Sequence, residues 1–242
     1  MATKEPPERR RKGPEPISIE PPPAPRPAPL GVAFTDVTFL HWRYDPALVR
    51  PLLPPGLVPD TFDGVTYVGL VPFRMCAYGE FLETNVRVYS VDPQGRRGTV
   101  FLTMEADRLT WVLAARATGL PYAWSRMSLV RDTHLLCYDS VRRWPGRPGT
   151  GTQIRVRAGH PVEGGPLEHF LTARWRLHHA VRGVPLAIPL FHNRWPLHTA
   201  ELLHLDDQLI TATGLPAPTE PPVSVLHAPS VRGRFGLPIP AW

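Results

Sequence analysis

Residues 81–128 read FLETNVRVYSVDPQGRRGTVFLTMEADRLTWVLAARATGLPYAWSRMS. The start of this stretch predicts a β-strand, in which side chains two positions apart share one face. One face of this strand carries an acid, an amide, a base and a phenol: Glu83, Asn85, Arg87 and Tyr89. A polar row of this kind is unusual for a strand that only packs a core. We therefore predict that it forms the wall of a polar pocket.

The rest of the stretch predicts a hairpin followed by a helix. The turn sequence Asp-Pro-Gln-Gly at 92–95 joins the first strand to a return strand over 99–105. Asp107 is then positioned to cap a helix that runs to residue 117, with Gly119 just beyond its end. The Gly-Leu-Pro-Tyr sequence at 119–122 predicts a rigid turn, and a further strand begins near residue 126.

Segments rich in aromatic and β-branched residues continue on both sides of this stretch, from residue 32 to residue 228. Pro72 lies inside one of them, 65–75, which predicts an edge strand or a bulge. We expect about ten strands and four short helices, without the regular strand–helix alternation of a parallel sheet. The predicted fold class is α+β and β-rich: a single antiparallel β-barrel or curved sheet with a few short helices packed outside.

The first 31 residues differ in composition from the rest of the chain. Overall, 43% of the 242 residues are hydrophobic and 20% are charged, which is ordinary for a globular domain. Residues 1–31 instead combine many prolines with a basic run, Arg-Arg-Arg-Lys at 9–12. Such a segment buries too little surface to offset its ordering entropy. We predict a disordered tail over 1–31 and a single domain over 32–242.

Composition also bears on partners and location. The net charge of +6 invites a nucleic-acid interpretation, but both lysines, Lys4 and Lys12, lie in the tail and the other basic residues are scattered arginines. We expect no nucleic-acid partner. No run of about 18 apolar residues predicts a membrane span, and the N-terminus does not resemble a secretory signal. Cys76 and Cys137 are predicted to be free thiols, so the expected location is the cytoplasm.

Several common functional signatures are missing from the sequence. It holds no GxSxG elbow, no P-loop and no GxGxxG motif. It has no HExxH motif or cysteine–histidine cluster either, so we expect neither a metal ion nor another cofactor. The aromatic residues Tyr122, Trp124, Phe191 and Trp195 are interpreted as core.

A set of segments, in this order and spacing, resembles a known family. They are FLHW at 39–42, LLPPGL at 52–57, DTFDG at 60–64, VPFRM at 71–75, ETNVRVY at 83–89, AR at 115–116, LPY at 120–122, Met127, LEHFLTAR at 167–174 and WPL at 195–197. They look like the YqjF-like proteins, an uncharacterised conserved family defined by a domain of unknown function. The resemblance runs from residue 32 to residue 228.

That family is grouped with the acetoacetate decarboxylase-like superfamily, which implies a β-barrel with a central polar cavity. The decarboxylases use a lysine as Schiff-base nucleophile, with its pKa lowered by a neighbouring cation and by desolvation. They carry lysines just after a Gly-x-Pro turn, whereas this chain has Tyr122 after its Gly-Leu-Pro turn and no lysine beyond Lys12. Schiff-base decarboxylation is therefore excluded for this chain.

The polar row supports specific roles if it lines a cavity. Arg87 would bind a carboxylate or enolate through a bidentate contact, and Glu83 would act as general acid or base with a pKa raised by burial. Asn85 and Tyr122 would donate hydrogen bonds to an oxyanion. The alternative is that Glu83 and Arg87 form a buried ion pair that only stabilises the strand.

Two further arginines are candidates for substrate binding: Arg116 at the end of the predicted helix and Arg126 on the next strand. The preferred function is a small-molecule-binding β-barrel that acts as a lysine-independent acid/base enzyme on a small anionic or carbonyl compound. The alternatives are a non-catalytic ligand-binding or sensing barrel and a structural or interaction protein. Enzymatic activity stays open from the sequence, and a homo-oligomer is compatible with each possibility.

Overall fold

The computed structural model describes residues 12–240, so residues 1–11 and 241–242, including part of the predicted tail, lie outside it. Strands dominate the described residues, as predicted. They are β1 (Leu30–Tyr44), β2 (Val58–Pro59), β3 (Thr66–Cys76), β4 (Glu80–Val91), β5 (Arg97–Ala106), β6 (Tyr122–Asp132), β7 (Leu135–Trp144), β8 (Gly151–Pro161), β9 (Arg176–Val181), β10 (Val184–His192), β11 (His198–Asp207), β12 (Ser224–Phe235) and β13 (Ile239–Pro240).

The helices are few and short. They are α1 (Pro46–Val49), α2 (Leu109–Ala117), α3 (Pro166–Thr172) and α4 (Leu209–Ala212), with a 3-10 helix at Arg50–Leu52. Within residues 12–240, none has both the length and the apolar character needed to cross a membrane.

All thirteen strands belong to one curved sheet, in the order β13-β10-β9-β5-β6-β7-β8-β11-β12-β1-β3-β4-β2. Additional pairings of β4 with β5 and of β10 with β12 close the sheet on itself. Most pairs are antiparallel, but β5 runs parallel to β6 and to β9. The predicted curved sheet is confirmed, and the predicted antiparallel pairing holds for every pair except these two. The chain between β5 and β6 contains α2, a crossover connection that brings β6 back in the same direction.

The predicted hairpin of β4 and β5 is confirmed by their antiparallel pairing. Pro72, however, is not on an edge, because β3 lies between β1 and β4. It pairs with Thr84 on the β4 side and falls where the register between β1 and β3 shifts. The bulge prediction is therefore confirmed, since a residue without an N–H is tolerated at such an irregularity.

Asp107 does not cap α2, so that prediction is wrong. The helix begins at Leu109 with Arg108 as N-cap, and no side chain caps it. The Asp107 carboxylate instead accepts a hydrogen bond from the backbone N–H of Leu82 at 3.0 Å. It thereby links the segment before α2 to β4.

β4 separates two apolar clusters. Val86 and Val88, both fully buried, pack on one side of the strand in a cluster that includes Ile154 of β8. The other cluster includes Phe39 and Phe73, and both of these side chains line the same cavity as Glu83, Asn85 and Arg87. Tyr89, the last member of the predicted row, does not line it and packs with Phe170 instead. The strict alternation of β4 therefore turns one face to a closed core and the other to a cavity.

Residues 12–29 contain no helix or strand, yet they contact the sheet. The Glu15 carboxylate pairs with Arg176 at 2.5 Å and accepts the backbone N–H of Arg97 at 2.9 Å. The indole N–H of Trp175 donates to the Ser18 carbonyl oxygen at 3.1 Å. These contacts hold the proline-rich segment beside the starts of β5 and β9.

Candidate functional site

A cavity of about 440 Å³ lies beside the polar face of β4. Its volume is within the range of about 300–1,000 Å³ found for small-molecule sites. Four polar side chains line it together, hereafter the polar cluster: Glu83, Asn85, Arg87 and Tyr122. Most of the remaining wall is apolar and includes Phe34, Val37, Phe39, Val71, Phe73, Met75, Phe101, Met104, Trp111, Leu177, Ile188, Leu190 and Trp195. The pocket predicted as polar is thus an apolar cavity with one polar cluster.

Glu83 is a buried carboxyl group with a raised pKa in the polar cluster. It is 1% exposed, and its Oε2 accepts a hydrogen bond from the Tyr122 hydroxyl at 2.8 Å. The amide Nδ2 of Asn85 lies 3.5 Å from Oε1. Desolvation raises the pKa of Glu83 from 4.5 to about 7, although the hydrogen bonds from Tyr122 and Asn85 lower it. Both protonation states are therefore populated near neutral pH, as general acid/base catalysis requires.

Tyr122 is held as a neutral hydrogen-bond donor. Burial raises its pKa well above 10.0, and the adjacent Glu83 raises it further. Its proton points to Glu83, so the hydroxyl orients that carboxyl group. The direct role predicted for Tyr122, donation to a substrate oxyanion, stays a prediction.

Arg87 makes no ion pair with Glu83, so that alternative is wrong. Within residues 12–240, no carboxylate lies in ion-pair distance of the Arg87 guanidinium. Its Nη2 donates instead to the Leu171 carbonyl oxygen at 3.0 Å. The guanidinium carbon also lies 5.3 Å from the ring centroid of Phe39 and 5.7 Å from that of Tyr89. Arg87 thus presents a positive charge to the cavity without a protein counter-ion.

Two atoms of the polar cluster are buried without a hydrogen-bond partner among the described residues: Asn85 Oδ1 and Arg87 Nε. One is an acceptor and the other is a donor. Buried polar atoms are nearly always paired, so two unpaired atoms on neighbouring cavity side chains require an explanation. A ligand that offers one hydroxyl donor and one anionic acceptor would pair both.

Arg87 is also held by a hydrogen-bonded group that consists of Leu171, Tyr89 and His41. The Leu171 carbonyl oxygen accepts from the Tyr89 hydroxyl at 2.9 Å as well as from Arg87. His41 Nε2 lies 2.6 Å from the same hydroxyl. Burial, together with the charges of Arg87 and Arg174, lowers the pKa of His41 well below 6.5. The ring is therefore neutral and adds no positive charge beside Arg87.

The structure does not bring Arg116 to the cavity wall. Its Nη1 donates to the Tyr122 carbonyl oxygen at 2.7 Å, and its guanidinium carbon lies 5.0 Å from the ring centroid of Trp144. These contacts place Arg116 on the backbone of β6, where it positions Tyr122.

Arg126 also lies away from the cavity. Tyr122 and Arg126 are an even number of positions apart, so they would share a face of a regular strand. The register shift between β6 and β7 at Trp124 and Ser125 has its extra residue, Arg143, on β7, so it does not change the alternation of β6. Tyr122 lines the cavity, whereas Arg126, further along the same strand, is exposed to solvent.

The apolar walls of the cavity were not predicted. Leu177 of β9, Ile188 and Leu190 of β10, and Trp195 after it all line the cavity, whereas Trp195 was interpreted as core. The sequence does not distinguish residues that line a cavity from residues that fill a core, because apolar side chains recur with the same spacing in both.

Residues 32–232 match the protein family DUF2071, described as an uncharacterized conserved protein. The chain belongs to this family. The predicted resemblance is confirmed by the uncharacterized protein YqjF of Bacillus subtilis (strain 168), which is 27% identical over 222 residues. That alignment covers 86% of this chain and 90% of YqjF.

Solved structures share the fold at low sequence identity. An acetoacetate decarboxylase-like enzyme from Sphingomonas wittichii RW1 has a TM-score of 0.62 at 13% identity, covering 88% of this chain and 92% of that enzyme. The enduracididine biosynthesis enzyme MppR complexed with pyruvate has a TM-score of 0.60 at 16% identity, covering 88% and 90%. Acetoacetate decarboxylase from Legionella pneumophila has a TM-score of 0.56 at 16% identity, covering 90% and 94%. The acetoacetate decarboxylase-like fold is thereby confirmed.

No lysine lines the cavity among residues 12–240. The only lysine among the described residues is Lys12, whose backbone N–H donates to the Pro93 carbonyl oxygen in the turn between β4 and β5. Within residues 12–240 there is also no group of three or more histidine, cysteine, aspartate or glutamate side chains placed to hold a metal ion.

Proposed function

We propose that this protein binds a small enolisable keto carboxylate in the cavity and transfers a proton to and from it, with Glu83 as general acid and base. The observation that carries the proposal is the buried Glu83 carboxyl, with its pKa raised to about 7, among the residues that line an apolar cavity. A strongly perturbed carboxyl in a cleft is typical of an acid/base site. The binding of pyruvate, a keto carboxylate, by the similarly folded MppR supports the ligand class.

The unpaired atoms of the polar cluster fit such a ligand. The carboxylate accepts a hydrogen bond from Arg87 Nε, and the guanidinium charge neutralises it. Enolisation turns the ketone oxygen into a hydroxyl, which donates to Asn85 Oδ1. The enol thus gains a hydrogen bond that the ketone lacks, which is the selective stabilisation that catalysis needs.

The proton transfer balances without a covalent intermediate. Ionised Glu83 removes a proton from the carbon beside the ketone, and the C–H electron pair forms the C=C bond of an enolate. Protonated Glu83 then gives this proton to the enolate oxygen, which forms the enol and restores the carboxylate. In the reverse direction Glu83 takes the enol O–H proton and gives a proton to the carbon, which regenerates the ketone; exchange of the Glu83 proton with solvent in between labels the carbon. Tyr122 holds Glu83 Oε2 throughout. No amine nucleophile takes part in this scheme, and the described residues that line the cavity include no lysine.

Hydrogen–deuterium exchange tests the reaction. Pyruvate in D2O at pD near 7 is followed by proton NMR with wild type, Glu83→Gln, Arg87→Ala and Arg126→Ala. We expect wild type to accelerate the loss of the pyruvate methyl protons. Glu83→Gln should reduce that acceleration roughly 10²–10⁴-fold. Arg87→Ala should also reduce the acceleration, because it binds pyruvate more weakly. The exposed Arg126→Ala is the matched control and keeps the wild-type rate. Equal acceleration by wild type and Glu83→Gln would remove Glu83 from the reaction.

Non-catalytic ligand binding is the second candidate, because the unpaired Asn85 and Arg87 atoms favour binding whether or not a reaction follows. Thermal-shift measurements with small keto and carboxylic acids separate the two functions. A ligand-induced shift that Arg87→Ala abolishes and Glu83→Gln retains, together with no exchange by wild type, would select the binding function. A shift unaffected by Arg87→Ala would contradict the anion contact in both.

A further inference from the structure

The cavity is larger than the polar cluster and a minimal ligand require. Its volume of about 440 Å³ corresponds to roughly 15 water molecules at about 30 Å³ each. Pyruvate has only six non-hydrogen atoms, each about as large as a water molecule, so it fills less than half of that space. A ligand that fills the cavity carries additional atoms beyond the keto carboxylate head.

The wall away from the polar cluster is mostly apolar. The polar cluster comes from β4 and β6, whereas α2, β9 and β10 contribute Ala115, Leu177, Leu186, Ile188 and Leu190. The other polar lining residues are Thr99, Thr118 and His179. Among the described lining residues, Arg87 is the one arginine or lysine, and burial lowers the pKa of His179, so neither favours a phosphate or second carboxylate at that wall. Exposed lining residues, Thr118 and Pro238, mark the opening to solvent.

We propose that the ligand is amphipathic, with a keto carboxylate head at the polar cluster and an unbranched apolar tail along α2, β9 and β10, about ten carbons in total. The head group rests on the proposed function; the tail rests on the size and apolar lining of the cavity. Apolar walls bind a chain through the hydrophobic effect, which is proportional to the area removed from water.

The test is a series of straight-chain 2-oxo acids from three to twelve carbons, with Kd measured by isothermal titration calorimetry on the full chain. Each added methylene lowers Kd about fourfold, from about 0.8 kcal/mol per buried methylene, until the cavity is filled near ten carbons. Ala115→Phe occupies part of the tail path, so its affinity stops improving at a shorter chain. Leu113→Phe, which is 51% exposed on the same helix, is the matched control and follows wild type.

The carboxylate head and the apolar tail of the proposed ligand are tested by different results. Arg87→Ala should weaken binding of every member of the series by a similar factor and leave the dependence on chain length unchanged. A constant Kd from three to ten carbons in wild type would overturn the tail, and this series decides the matter even if Ala115→Phe does not fold. A chain-length dependence with no loss in Arg87→Ala would instead overturn the carboxylate anchor and, with it, the proposed function.

Discussion

Replacement of Glu83 by glutamine is expected to change how stability depends on pH. The folded protein holds Glu83 with a pKa of about 7, against 4.5 for an unperturbed glutamate. Between these values the folded state binds more protons than the unfolded state, so the stability of wild type falls as pH rises from 4.5 to 7. Below pH 4.5 both states are protonated and the loss disappears. Glutamine has the same shape but no charge, so the variant lacks this loss.

The size of the effect follows from the pKa shift. A rise from 4.5 to about 7 corresponds to about 3 kcal/mol, because one pKa unit is about 1.4 kcal/mol. Glu83 is 1% exposed, so solvent screening does not reduce this value. The stability of Glu83→Gln relative to wild type should therefore rise by about 3 kcal/mol between pH 4.5 and pH 8. For a chain of this length that is roughly 6–12 °C in Tm.

Thermal unfolding of both proteins at half-unit pH steps measures the effect. The difference between the two curves cancels the titration of all other groups, including the buried histidines. Glu220→Gln, at an exposed position, serves as the matched control and should follow wild type at every pH. If the curves of Tm against pH for Glu83→Gln and wild type are parallel, the conclusion that Glu83 is a buried carboxyl with a raised pKa is refuted.

Other predictions concern the residues that surround the site. Asp60→Ala should cost about 3–5 kcal/mol in urea unfolding, because it removes the 1%-exposed partner of Arg174, 2.6 Å away. Burial lowers the pKa of His192 to about 4, so as pH falls from 6.5 to 4 the histidine is protonated in the unfolded state before it is protonated in the folded state, and wild type loses stability. His192→Phe should reduce this loss, which Tm values measured across that pH range would show. Gly69→Ala should weaken pyruvate binding in calorimetry, because its Cβ would lie 2.9 Å from His41 Nε2 and 3.3 Å from Arg87 Cγ and would displace both side chains.

The alternation of β4 was sufficient to predict that Glu83, Asn85 and Arg87 share the cavity, but not that Tyr89, on the same face, packs with Phe170 instead. Period 2 is a property of any regular strand, so Glu83, Asn85 and Arg87 fell on one face as the sequence indicated. Tyr122 was identified because it follows the Gly-Leu-Pro turn at the position where the decarboxylases carry a lysine. Its hydrogen bond to Glu83 joins residues 39 positions apart, which no local pattern encodes.

Arg126 shows why other site residues could not be predicted. Period 2 puts Tyr122 and Arg126 on one face of β6, yet Tyr122 lines the cavity and Arg126 is exposed to solvent. The period of a strand does not indicate how far along the strand a cavity extends. Arg116 was expected in the cavity from its helix position, but tertiary contact with the Tyr122 carbonyl holds it elsewhere. Glu15 pairs with Arg176 from a segment whose composition predicts no order, because a single ion pair has no periodic signature.

Titration of Glu83 by carbon-13 NMR tests the acid/base site most directly, with Glu83→Gln used to assign the side-chain carboxyl signal. The midpoint should lie near pH 7 and should rise when pyruvate is added, because a bound carboxylate disfavours a second negative charge beside it. A midpoint near 4.5 that pyruvate does not move would contradict both the buried acid/base role of Glu83 and the binding of a keto carboxylate next to it.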